Sequence, residues 1–118
     1  AKLEFEFMML TRPRTLDSKD FGGSNGALAS FAARIMSDPA NRRIAEEGGR
    51  LAAEYKQSDD MQRKRQIVDR LKLLRENVMA MMQLELVARS PPLINHPSAA
   101  AADAFKLCIA LTEGACGH

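Results

Sequence analysis

The stretch "QIVDRLKLLRENVMAMM", residues 66–82, decides how this 118-residue chain is built. Ile67, Leu71, Leu74, Val78 and Met81 recur at 4-3-4-3 spacing, the seam of a short heptad helix. Val68, Met79, Met82 and Leu86 make a second ridge that widens the apolar surface. Upstream, Ser58 and Asp59 of "QSDD" are the candidate N-caps. Downstream, Ser90, Pro91 and Pro92 end the helix near Arg89, because a residue before proline is pushed out of the α region. The span is about 30 residues, or some 45 Å at about 1.5 Å per residue. A helix of that length is the spine of the domain.

Shorter helices flank it. In "SDPAN" (37–41) Asp38 can cap while Pro39 takes the first helical position, where its missing N–H costs nothing. Ile44, Leu51, Ala52 and Tyr55 then keep helical phase across Gly48 and Gly49. The spacing predicts an unbroken helix whose glycines admit a close neighbour. Before it, Ser24 or Asn25 starts a helix with the buried stripe Leu28, Phe31, Ala32, Ile35 and Met36. After an extended "PPLINHP" (91–97), Ser98 or a neighbour opens a last helix, with Phe105, Cys108, Ile109 and Thr112 on one face and Gly114 as its stop.

Only "LEFEFMML" (3–10) departs from the helical rhythm. Leu3, Phe5, Phe7 and Met9 alternate with Glu4 and Glu6, the period of a β-strand. One strand in a helical chain leaves its backbone groups unpaired. The pattern therefore predicts antiparallel pairing with a second copy across a two-fold axis, with Leu3, Phe5, Phe7 and Met9 as dimerisation residues, or addition to the sheet edge of another protein. The expected architecture is mainly α: a single helical domain over 1–118, with one long central helix and a short N-terminal β-strand, and dimeric. Its parts are a strand at 1–10, a loop at 11–23 and a helical body at 24–118.

Composition agrees with a helical core. Hydrophobic residues make up 46%, yet aromatics are only 5% and Trp is absent, so Leu, Ile, Ala and seven Met must fill the interior. A formal charge of +2 is weak for a dedicated nucleic-acid domain. Cys108 and Cys116 read as free thiols of a reducing cytoplasm. No signal-peptide pattern opens the sequence, and "VMAMMQLELVA" (78–88), carrying Glu85, is too short for a membrane span. The expected location is cytoplasmic.

No residue constellation names a reaction. "FGGSNGA" (21–27) matches neither phosphate-loop spacing, and Cys108, Cys116, His96 and His118 lack the paired spacing of a zinc site. Histidines in loops do not make a nucleophile–base pair. The expectation is a protein that is not an enzyme and needs no cofactor and no metal. Two features point to partners instead. "MQRKRQIVDRLKLLRE" (61–76) carries Arg63, Lys64, Arg65, Arg70, Lys72 and Arg75, interleaved with Asp69 and Glu76 and preceded by Asp59 and Asp60. That is a solvated face laced with local ion pairs, with DNA binding as the competing reading. Met79, Met81 and Met82 form a cluster that either fills the core under other helices or makes an adaptable binding surface. The candidate partner-binding residues are Met79, Met82 and Leu86, with Leu93 and Ile94 beside them and Arg63 and Arg70 steering an acidic partner.

In overall organisation, the leading "LEFEFMML", the long "SDDMQRKRQIVDRLKLLRENVMAMMQLELVARS" and the final "AAAADAFKLCIALTEG" resemble the QslA-like quorum-sensing antiactivators of Pseudomonas. The resemblance implies a small regulator that binds a LuxR-type transcription factor, blocks its dimerisation and so keeps it from DNA. It implies neither catalysis nor a cofactor.

Overall fold

The heptad seam is realised as one continuous helix, Met61–Arg89, in a computed structural model. The structure describes the backbone over residues 2–12, 27–89 and 97–116, and side chains over 2–12, 32–79 and 102–113. Five helices form among the described residues: α1 (Lys2–Thr11), α2 (Ala27–Met36), α3 (Pro39–Gln57), α4 (Met61–Arg89) and α5 (Pro97–Cys116). The core gathers along α4, where Ile67, Val68, Leu71, Leu74 and Val78 are all buried. Ala32 and Ile35 of α2, Ala45, Ala52 and Tyr55 of α3, and Ala104, Phe105, Cys108 and Ile109 of α5 close around them. Ser24, Asn25, Leu93, Ile94 and His96 lie outside the described residues, as do the side chains of Leu28, Phe31, Met81, Met82 and Leu86.

The helix starts follow elementary capping chemistry. Asp38 Oδ1 accepts from the N–H of Ala40 at 2.8 Å and of Asn41 at 3.4 Å, with Pro39 in the first turn. For α4 the cap is Asp60, not Ser58 or Asp59: its Oδ1 accepts from Gln62 N–H at 2.9 Å and Arg63 N–H at 3.4 Å. Ser58 is occupied instead at the end of α3, and its Oγ accepts from Asp60 N–H at 3.1 Å. Helix α5 passes through Gly114 rather than stopping there.

Gly48 and Gly49 sit inside an unbroken α3, facing α5. A Cβ on Gly49 would stand 2.3 Å from Thr112 Oγ1 and 2.7 Å from the Glu113 backbone nitrogen. Thr112 uses this proximity, its Oγ1 lying 2.9 Å from the Ala45 carbonyl and 2.9 Å from that of Cys108. The two helices meet backbone to backbone, which only glycine permits.

The N-terminal strand is corrected to a helix, α1. The alternation of Leu3, Phe5, Phe7 and Met9 covers only four positions, whereas Leu3, Phe7 and Leu10 repeat at 4-3 spacing through the same letters. Phe7 and Leu10 are buried and Leu3 packs against the core, while Phe5 and Met9 point outward at 61% and 53% exposure. The supposed dimerisation residues therefore divide between two faces. Physically, the helix satisfies its own backbone groups, so the unpaired edge that called for a partner strand does not exist. Leu, Met, Glu and Lys, which dominate the segment, are also good helix formers.

Candidate protein-interaction surface

Helix α1 is held in place by charge and by one aromatic stack. The Phe7 ring lies on Tyr55 with centroids 3.8 Å apart and planes 5° from parallel. Glu6 reaches down between two cations of α4: its carboxylate accepts from Lys72 Nζ at 2.7 Å and from Arg65 Nη1 at 2.7 Å. Lys64 Nζ stands 3.6 Å from Glu4 and 4.8 Å from the Tyr55 ring centroid. The Thr11 hydroxyl closes the helix by donating to the Phe7 carbonyl at 2.8 Å.

The same basic run also receives α3. Arg63 forks onto Glu54 through Nε at 2.5 Å and Nη2 at 2.8 Å, and Arg70 onto Glu47 through Nε at 2.6 Å and Nη2 at 3.1 Å. Of the acids interleaved with the run, Asp69 pairs with Arg65 at 3.6 Å. The face expected to be laced by its own acids is thus laced mostly by Glu4, Glu6, Glu47 and Glu54 from other helices. Arg63 and Arg70, the candidate steering residues, have carboxylate partners within the chain. Most of these pairs are solvent-exposed, and each contributes little alone. Their number and geometry fix the relative placement of α1, α3 and α4.

The carboxylates titrate accordingly. The Lys72 hydrogen bond, with Arg65 adding to it, holds Glu6 below its ordinary 4.5 against opposing burial. Arg70 does the same for Glu47, and Arg63 for Glu54. A depressed folded-state pKa contributes stability that is present above the unfolded value and lost as pH falls through the folded one. Urea midpoints measured from about pH 6 down to pH 3 should therefore fall with acidification. Glu6→Gln should flatten part of that fall, and an unchanged slope would show that the Glu6 pairs with Lys72 and Arg65 have no part in it.

What α1 leaves outside is apolar. Phe5, Met8 and Met9 are exposed, flanked on the same face by the exposed charges of Glu4 and Arg12. These positions fall within one arc of the helix, since residues three and four apart are neighbours. Of the partner-binding candidates on α4, Met79 is half-buried. The remaining side chains of that set, Met82, Leu86, Leu93 and Ile94, are outside the described residues. The α1 face was missed because a strand reading of residues 3–10 placed Phe5 beside Phe7 and never put Met8 next to Met9.

Cys108 is a core residue, its thiol 3.9 Å from the Ala32 carbonyl and pushed by burial to about 11, which leaves it unreactive as a thiolate. Among the described residues no His, Cys, Asp or Glu cluster could hold a metal ion, and no helix is long and apolar enough to cross a membrane. Comparison with protein-family models, curated proteins and solved structures finds no match to this chain.

Proposed function

We propose that this chain is a non-enzymatic regulatory protein that acts by occupying an apolar surface of another protein. The observation that carries the reading is the outer face of α1, where Phe5, Met8 and Met9 stand exposed on a helix anchored from below by Phe7, Leu10 and Glu6. A rigid helix with a bare apolar stripe fits the helix-in-groove mode of recognition. With the resemblance to the QslA-like antiactivators, the partner is a LuxR-type transcription factor, held apart from its own second copy and so from DNA. Against the competing DNA-binding reading stand the carboxylate partners that Arg63, Lys64, Arg65, Arg70 and Lys72 have within the chain.

The same stripe suits a homodimer. In an antiparallel pair centred near Met8, Glu4 of one copy meets Arg12 of the other, and the methionines pack between them. Helices would then do what the sequence assigned to strands. Sedimentation of Phe5→Asp/Met9→Asp should give monomer with unchanged helicity, and the variant should no longer be captured by the ligand-binding domain of a LuxR-type factor. Glu4→Arg or Arg12→Glu alone should weaken self-association by about tenfold, and the pair should restore it. Full self-association and capture by the aspartate variant would remove α1 from the proposal.

A further inference from the structure

We infer that the groove in which α1 lies is a docking site that exchanges occupants: an acidic amphipathic helix of a partner protein, bulkier than α1 at the place of Thr11, takes the groove and turns α1 out. The groove lies on the side of α1 away from Phe5 and Met9, and its occupancy does not depend on that outer stripe.

Charge sets the sign of the occupant. Helix α4 lines the groove with Lys64, Arg65 and Lys72, and α1 answers all three. Glu6 accepts from Lys72 Nζ and from Arg65 Nη1, both at 2.7 Å, and Glu4 stands 3.6 Å from Lys64. Among the described residues, the carboxylates paired with Lys64 and Lys72 both come from α1. A groove that gives up α1 therefore presents bare cations and favours carboxylates in return. Its floor sets the apolar spacing. Leu3, Phe7 and Leu10 of α1 face inward at 4-3 spacing, with Phe7 flat on Tyr55, which are the anchors of a helix laid in a groove.

Size decides between a partner and a second copy. Helix α1 does not fill its groove: a cavity of about 470 Å³ remains between Phe7, Met8 and Thr11 on one side and Tyr55 and Ala110 on the other. Thr11 is short and turns its hydroxyl back to the Phe7 carbonyl at 2.8 Å. A tethered helix competes at an effective concentration of about a millimolar. An identical helix from a second copy would leave the same void, so it cannot win against that advantage. A helix that fills the void can, since each methylene buried there tightens binding by about fourfold. The displaced α1 then unfolds, because a ten-residue helix is marginal without its packing.

The probe is the peptide of residues 1–12 carrying Thr11→Leu and a C-terminal fluorophore, titrated into the full parent chain. Anisotropy should show saturable binding, about tenfold tighter than for the peptide of parent sequence. Hydrogen exchange in the complex should speed up at the amides of residues 6–11 and stay slow along α4. A peptide that also carries Glu6→Lys should bind about tenfold more weakly. A full chain with Thr11→Leu in its own α1 should resist the probe by about tenfold, because its resident helix now fits as well. No saturable binding below about 1 mM, residues 6–11 still protected in the complex, or undiminished binding of the Glu6→Lys peptide would each overturn the assignment. A peptide of parent sequence that binds as tightly as the probe would give the groove to a second copy and overturn the choice of occupant.

Discussion

Replacing Gly49 by alanine should cost the fold about 2–3 kcal/mol, although alanine is the better helix former by about 1 kcal/mol. The added Cβ would meet Thr112 Oγ1 at 2.3 Å and, behind it, the backbone of Thr112 and Glu113 at 2.8 and 2.7 Å. A side chain can turn aside, but a helix backbone cannot. Helix α5 would have to retreat, which would break the Thr112 hydroxyl contact to the Ala45 carbonyl and loosen the packing around Ile109. Gly48→Ala is the matched control. Its Cβ would meet only side-chain atoms, Ile109 Cγ1 at 3.0 Å and Cδ1 at 3.2 Å and Leu71 Cδ2 at 3.8 Å, so the loss should be about 1 kcal/mol or less. Thermal melts should separate the two, Gly49→Ala falling by about 10 °C and Gly48→Ala by a few degrees. A Gly49→Ala protein that melts with the parent would mean that α3 and α5 do not meet backbone to backbone.

The glycine pair shows what kind of information single-sequence reasoning recovers. The phase of Ile44, Leu51, Ala52 and Tyr55 continues unbroken through Gly48 and Gly49, so helix continuity and a close neighbour were both readable. The seam Ile67–Leu71–Leu74–Val78 and the Asp38–Pro39 start were readable for the same reason: each is a pattern local to one helix. The cap of α4 slipped by one position because Ser58, Asp59 and Asp60 are chemically equivalent candidates. The charged face was legible only in part: Asp69 does pair with Arg65, as the spacing offers. Local spacing offered Asp59, Asp60, Asp69 and Glu76 as partners, but the carboxylates that answer Arg63 and Lys72 come from 9 and 66 residues away. Such pairs depend on how helices cross, and no periodicity within one helix encodes that.

The first ten residues failed because two periods were superimposed on one string. Leu3, Phe5, Phe7 and Met9 satisfy period two; Leu3, Phe7 and Leu10 satisfy the helical period equally well. Tertiary contacts decide between them. Glu6, which a strand would have sent to solvent, lies on the inner side of the helix, where Lys72 and Arg65 bind it. The candidate surface inherited the error, since the face a helix exposes is the part a strand reading scrambles.

The two phenylalanines provide the decisive measurement. A strand makes Phe5 and Phe7 equivalent, two residues apart on one face. The helix makes them opposites: Phe7 is 5% exposed and stacked on Tyr55, whereas Phe5 faces outward. Phe7→Ala removes a buried ring and leaves a hole against Tyr55 that α1 cannot refill, so it should cost about 3–4 kcal/mol in urea denaturation. Phe5→Ala deletes an exposed side chain and should fall within about 0.5 kcal/mol of the parent. Loss of the stack should also uncover Tyr55, so acrylamide should quench its emission more strongly in Phe7→Ala and as in the parent for Phe5→Ala. Hydrogen exchange adds the spatial test, because α1 is fastened to α4 by Glu4 and Glu6 and to α3 by Phe7. In Phe7→Ala the amides of residues 6–11 should exchange well ahead of those of α4, since short helices are marginal without tertiary packing. Equal losses in the two variants would restore the strand and, with it, the unpaired edge that only another chain could satisfy.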